Sequence, residues 1–200
     1  MLLVQTTFWD KLIQQDREVL LQLNALGSNK WDAFWLFVTN QFNWLPLFLF
    51  LLYLIFKAYG WKKGLLIVFI TALLVTFSDQ LVNLIKNSVM RLRPNNDLEL
   101  KTVIRALKHP RGYSFVSGHS TTSFAVTVFL FLLLRKYYKY IGFLFIWPIL
   151  FAYSRIYCGV HFPIDIFMGM LLGITIGITF YKITIYFLHR KFEEKFSSKL

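Results

Sequence analysis

The spacing of charge constrains this chain most. Five apolar runs, about Ala33–Phe56, Gly64–Ile85, His119–Leu134, Ile141–Tyr153 and Pro163–Leu188, are parted by short stretches that hold most of the Lys and Arg. The first, second and fifth are close to the roughly 20 residues that carry a helix across a bilayer, and the third and fourth are shorter. With 56% apolar residues, 16% charged residues and a mean hydropathy of +0.53, the composition is that of an integral membrane domain rather than a soluble one. The expected fold is all-α: a polytopic membrane helix bundle of about five transmembrane helices plus an N-terminal amphipathic helix. Residues 1–200 are read as one domain, with no repeat, low-complexity tract or linker.

The amphipathic helix is expected over Phe8–Leu26, where Phe8, Leu12, Val19, Leu23 and Leu26 share one side at helical period. The opening residues lack a basic start and a small-residue cleavage site, and acids interrupt them early, so no secretory signal is expected. The single cysteine, Cys158, excludes an intrachain disulfide, a thiolate-only zinc site and an iron–sulfur cluster.

The formal charge of +12 could suit nucleic acid, but the basic residues sit in clusters that flank membrane spans, so no nucleic-acid partner is expected. Five spans place the N-terminus, the 86–118 loop and the 154–162 turn on one face. The other face collects Lys57, Lys62, Lys63, Arg135, Lys136, Lys139, Arg190, Lys191, Lys195 and Lys199, which the positive-inside rule makes cytoplasmic. The long loop then faces outward.

Three polar clusters fall on that outward face. Lys86 precedes Arg93-Pro94 in "KNSVMRLRP"; Ser117-Gly118-His119 opens the third span; Arg155, His161 and Asp165 open the fifth. Lys86, Arg93 and Arg155 supply the several donors that a tetrahedral phosphate needs. Ser117 and Gly118 stand where free backbone N–H groups and a helix dipole favour an anion, and glycine admits close approach. His119 and His161 are two imidazoles beside that pocket, one able to attack phosphorus while the other protonates the departing oxygen. Asp165, one turn after His161, is in reach of its second ring nitrogen and can set the tautomer. Singly, these residues have plain structural readings: a snorkelling cation, a helix cap, a structural histidine, an acid at a helix start. Three clusters together, on one face, point to phosphate chemistry.

Two softer features accompany them. Asp79, Asn83 and Lys86 share a helix face, with Asp79 read first as neutralising a nearby cation. Gly169, Gly173 and Gly177 recur every fourth residue and predict close helix packing.

The clusters resemble the signature of the type 2 phosphatidic acid phosphatase superfamily: Lys-x6-Arg-Pro, Pro-Ser-Gly-His and Ser-Arg-x5-His-x3-Asp. The matching residues are Lys86, Arg93-Pro94, Val116-Ser117-Gly118-His119 and Ser154-Arg155, His161, Asp165, with Val116 in place of the usual proline. The resemblance runs from about Asp79 to Gly173. It implies a phosphohistidine on His161, oriented by Asp165, with His119 as general acid. It also implies a phosphate cradle of Lys86, Arg93, Ser117, Gly118 and Arg155, and no metal or other cofactor. The expected partners are a lipid phosphate substrate and membrane lipids. The expected place is a bacterial inner membrane with the site facing the periplasm or outside. Undecaprenyl diphosphate or a glycerophospholipid phosphate (phosphatidate, phosphatidylglycerophosphate) is the leading substrate, from the chain's small size and lack of an extra domain, with a lipid A phosphate as the alternative. A vanadate-dependent haloperoxidase would share the cradle, but that class is usually soluble. A lipid-phosphate binding or transport protein would need the cations but not a paired nucleophile and acid.

Overall fold

In the computed structural model, which describes residues 7–192, the chain forms α1 (Phe8–Ala25), α2 (Asn29–Val38), α3 (Leu45–Val89), α4 (Gly118–Leu134), α5 (Ile146–Tyr157) and α6 (Pro163–Phe192). Short 3-10 turns join them, and no strand occurs among the described residues. Lys195 and Lys199 of the basic tail lie outside the described residues. Large apolar side chains such as Leu49, Phe69, Phe77, Phe167 and Leu171 stand exposed along α3 and α6, a surface that requires lipid rather than water. The stretches Gln41–Asn96 and Pro163–Arg190 are long and apolar enough to cross a membrane, and Gly118–Leu134 and Ile141–Tyr157 are shorter apolar helices. This is an all-helical membrane protein.

The expected first span, 33–56, is divided. α2 ends at Thr39, a 3-10 turn covers Gln41–Trp44, and Pro46 opens α3 at a position where its missing N–H costs nothing. Side chains replace the lost helical bonds: Asn40 Oδ1 accepts from Phe42 N–H, Asn43 Nδ2 donates to Phe37 O, and Trp44 Nε1 donates to Val38 O. α3 in turn is broken at Gly60, whose φ of 69° and ψ of 177° are not helical. Phe56 and Gly64, which a straight helix would hold about 12 Å apart, are in contact, so the chain folds back on itself. Leu51, Leu54 and Ile55 of the first arm share a buried cluster with Ile67, Ile70 and Leu74 of the second.

α4 is the central helix, buried along most of its length; after its His/Ser/Thr-rich first turns it is apolar on nearly all sides, as an enclosed helix should be. α6 lies closely against it. A Cβ added at Gly169 would stand 2.8 Å from Ser117 O, and one at Gly177 would stand 2.7 Å from Ala125 O; Gly173 meets Thr121 O in the same way. The glycine repeat is therefore a packing seam.

α1 docks by a face turned from the apolar one read from sequence, with Leu12 half-buried and Leu23 packed against the core from its edge. Phe8, Val19 and Leu26 are exposed, while Asp16, Leu20 and Asn24 are buried. The ends of α5 and α6 present unpaired backbone groups, and polar side chains satisfy them. Asn24 Nδ2 donates to Ile156 O, Tyr157 O and Arg105 O, its Oδ1 accepts from Arg105 N–H, and Asp16 Oδ1 accepts from Ile164 N–H. Leu20, Leu100, Ile104, Ile156 and Phe162 form a second core beneath α1, and this core holds the long loop in place.

Candidate active site

The end of α3, the start of α4, the end of α5 and the start of α6 meet at one end of the bundle. α3 runs to Val89 and keeps Lys86 in its last turn, and Met90 then leaves the helix with a left-handed φ of 53°. Arg93 is extended, with φ −74° and ψ 153°. α4 begins at Gly118. Ser154 and Arg155, expected in a turn, lie in the last turn of α5, so the turn itself is shorter and carries His161.

His161 is buried at 1% exposure between two partners. Its Nδ1 lies 3.3 Å from Asp165 Oδ2, and its Nε2 lies 3.1 Å from Arg93 Nη1. A carboxylate only accepts, so Nδ1 carries the ring proton and Nε2 presents its lone pair. Arg93 also donates to Val160 O at 3.1 Å and to Gly112 O at 3.2 Å, which anchors the guanidinium beside that lone pair. Burial and the nearby Arg93, Arg155 and Lys86 cations hold the imidazole of His161 well below its ordinary range.

Lys86, Arg93, Gly118, His119, Arg155 and His161 line one cavity of about 1010 Å³. His119 is half-buried and stacks on Phe151 with ring centroids 4.7 Å apart. Arg155 is buried; its Nη1 donates to Thr39 Oγ1 at 2.6 Å, while its Nε has no partner. Asp79 and Asn83 also line the cavity, with Asn83 Nδ2 donating to Asp79 Oδ2 at 3.1 Å. Farther along, the cavity passes between the two arms of α3, α4 and α5, and its lining turns apolar with Leu51, Val68, Val126, Leu130 and Trp147. One volume thus joins a cationic head to an apolar groove.

Two predicted residues stand back from the cavity wall. Ser117 is buried and caps α4, its Oγ accepting from Ser120 N–H, while its own N–H donates to Asp165 O at 3.0 Å. Asp165 lies behind His161, where Phe162 N–H also donates to its Oδ2 at 2.9 Å. Gly118 is not demanded by internal packing, since an added Cβ would make only ordinary contact with Val82. Val116 is buried, and the Phe115–Val116 peptide is cis.

Three residues escaped the sequence reading. Thr39 ends α2 and orients Arg155. Arg91 donates from Nη1 to Asp165 Oδ1 at 2.8 Å and from Nη2 to Asp16 Oδ2 at 2.6 Å. Arg91 had a signal: it stands two residues before Arg93, and alternate residues of extended chain point the same way. Thr39 and Asp16 had none, because their partners are distant in sequence.

A family model for the PAP2 superfamily matches residues 63–188. The chain is 34% identical over 171 residues to a lipid A 4'-phosphatase of Bacteroides thetaiotaomicron, which covers 83% of this chain and 75% of that protein. It is 31% identical over 134 residues to an undecaprenyl-diphosphatase of Sulfolobus acidocaldarius, covering 67% and 60% of the two chains. The crystal structure of a transmembrane PAP2 type phosphatidylglycerolphosphate phosphatase from Bacillus subtilis shares the fold, with a TM-score of 0.69 at 22% identity over 87% of this chain and 86% of that one.

Proposed function

This chain belongs to the PAP2 superfamily and is a membrane lipid phosphatase, and from that premise we propose that it hydrolyses a phosphomonoester on a saccharolipid of the lipid A type through a phosphohistidine on His161. The observation that carries the mechanism is the single cavity that has His161, His119 and three cations at its head and an apolar groove behind them. The phosphate would sit among Lys86, Arg93, Arg155 and the N–H groups at the start of α4, with the unpaired Nε of Arg155 as one donor. His161 Nε2 attacks phosphorus as the bond to the lipid oxygen breaks, and His119 delivers a proton to that oxygen. A water then attacks phosphorus, losing its proton to His119 as the N–P bond breaks, and phosphate and free His161 result. No metal takes part in this scheme.

Two things support a saccharolipid. The relative from Bacteroides, similar over most of both chains, is a lipid A 4'-phosphatase. The cavity beside the cations is polar, with Asp79, Asn83, Thr122 and Ser123 in its lining, and such groups suit the hydroxyls and amides of a sugar head. A second reading, a polyprenyl diphosphate, draws on the relative from Sulfolobus, an undecaprenyl-diphosphatase. The charge bias of the loops supports an orientation with the site facing outward, as expected of an enzyme in a bacterial inner membrane.

The test is phosphate release by purified protein in detergent with EDTA, over a panel of lipid phosphates, beside His161→Ala. Release in EDTA that falls by on the order of 10⁴-fold in the variant is the expected result. Undiminished turnover by His161→Ala refutes the nucleophile, and faster release from polyprenyl diphosphate than from lipid A phosphate refutes the substrate.

A further inference from the structure

Arg91 is held between two carboxylates. Asp16 and Asp165 both have side chains at 0% exposure, and the Arg91 side chain is 21% exposed. The guanidinium carbon stands 3.8 Å from the centroid of the Phe162 ring, which fixes its plane. Both oxygens of Asp16 accept hydrogen bonds, from Ile164 N–H at 2.8 Å and from Arg91 at 2.6 Å. Both oxygens of Asp165 accept as well, from Arg91, Phe162 N–H and His161. A donor on every oxygen, with Arg91 shared between the two acids, favours the ionised form of each against the cost of burial. With both ionised the trio carries one net negative charge, and it faces His161.

We propose that Asp16 is a positioning residue for the reaction: as the counter-charge of Arg91, it keeps Asp165 an effective anion toward His161. The need for it comes from the surroundings. His161 sits among Arg93, Arg155 and Lys86, and its ring gains positive charge as Nε2 bonds to phosphorus. Asp165 is the carboxylate placed to balance that charge. Arg91 alone would neutralise it; Asp16 draws the other half of the guanidinium away and restores the balance. α1 is thus wired to the reaction centre by charge as well as by packing. The inference rests on the reading of His161 as nucleophile.

The test is a double-mutant cycle on kcat, KM and the rate of phosphoenzyme formation, using Asp16→Asn, Arg91→Gln and the double variant. Asparagine retains the acceptor for Ile164 N–H, removes the charge and replaces the acceptor of Arg91 by an NH2 group, so Asp16→Ala, which removes the charge without adding a donor, runs beside it and is expected to lower kcat by a similar factor. Asp16→Asn is expected to lower kcat about tenfold at unchanged KM, and the double variant is expected to be faster than Asp16→Asn alone. Leu20→Ala, which loosens α1 without touching charge, is expected to lower the melting temperature and leave kcat in place. Equal losses from Asp16→Asn in both backgrounds overturn the proposal, as does a kcat loss from Leu20→Ala that matches Asp16→Asn. If Asp16→Asn fails to fold while the double variant folds and turns over, the coupling stands; if neither folds, Asp16 is structural and the proposal is overturned. His161→Ala runs alongside, and turnover by that variant would sink the nucleophile assignment whatever Asp16 does.

Discussion

Gly169→Ala tests whether the α4–α6 seam sets the geometry of the site. An ideal Cβ at Gly169 would lie 2.8 Å from Ser117 O, 3.1 Å from Ser120 Cβ and 3.2 Å from Thr121 Oγ1. Ordinary contact begins at 3.4 Å, so the shortfall against the carbonyl is 0.6 Å, and that carbonyl cannot rotate away. The helices must part at this level. Gly169 is one turn below Asp165, and Ser117 immediately precedes Gly118 and His119, so the strain falls where the two halves of the site meet. Overpacking of this kind costs about 1–3 kcal/mol of stability. A displacement of this size near reacting groups is expected to lower kcat by on the order of tenfold, given about 10²-fold for 1 Å. The assay is kcat for phosphate release beside the melting temperature in the same detergent. Gly142→Ala is the control, because a Cβ there meets nothing within 4 Å. Wild-type kcat and melting temperature in Gly169→Ala would refute the claim that this seam positions the site.

Two more outcomes follow from the site. Thr39→Val removes the acceptor of Arg155 Nη1 and leaves a buried guanidinium N–H unpaired, which costs about 1–3 kcal/mol; inhibition by inorganic phosphate should weaken, and unchanged inhibition would remove Thr39 from the site. His161 is held neutral in the folded state below its ordinary range, first by burial and then by Arg93, Arg155 and Lys86. The unfolded chain binds the extra proton first, so stability should fall as pH drops below about 6.5, by up to about 1.4 kcal/mol per pH unit, until the lower folded value is reached. Melting curves between about pH 6.5 and 5, above the usual carboxylate range, should show a smaller slope in His161→Gln; equal slopes would refute the assignment.

Much of the candidate site was legible because phosphate chemistry needs particular residue types. Lys86, Arg93, Gly118, His119, Arg155 and His161 come from three separate stretches, yet they line one cavity. The connections among them were less legible. Ser117 spends its hydroxyl on the cap of α4, and the difference between a cap and a ligand donor is set by a rotamer. Arg91 was one basic residue among several until the fold brought Asp16 and Asp165 to either side of it.

Hydrophobicity, helical period and the absence of charge over long runs determined by themselves that the chain is helical and membrane-bound, because these are local properties that every stretch carries alone. The glycine period determined which face of α6 would approach a neighbour closely. Which neighbour it met, and where helices stopped, depended on partners far away in sequence. The break at Asn40–Pro46 holds because Asn43 and Trp44 reach back to α2 carbonyls. The choice of Asp16, Leu20 and Asn24 as the docking face of α1 follows from unpaired backbone groups at the ends of α5 and α6. A polar residue is buried only where a specific partner waits for it, and only the tertiary structure supplies that partner.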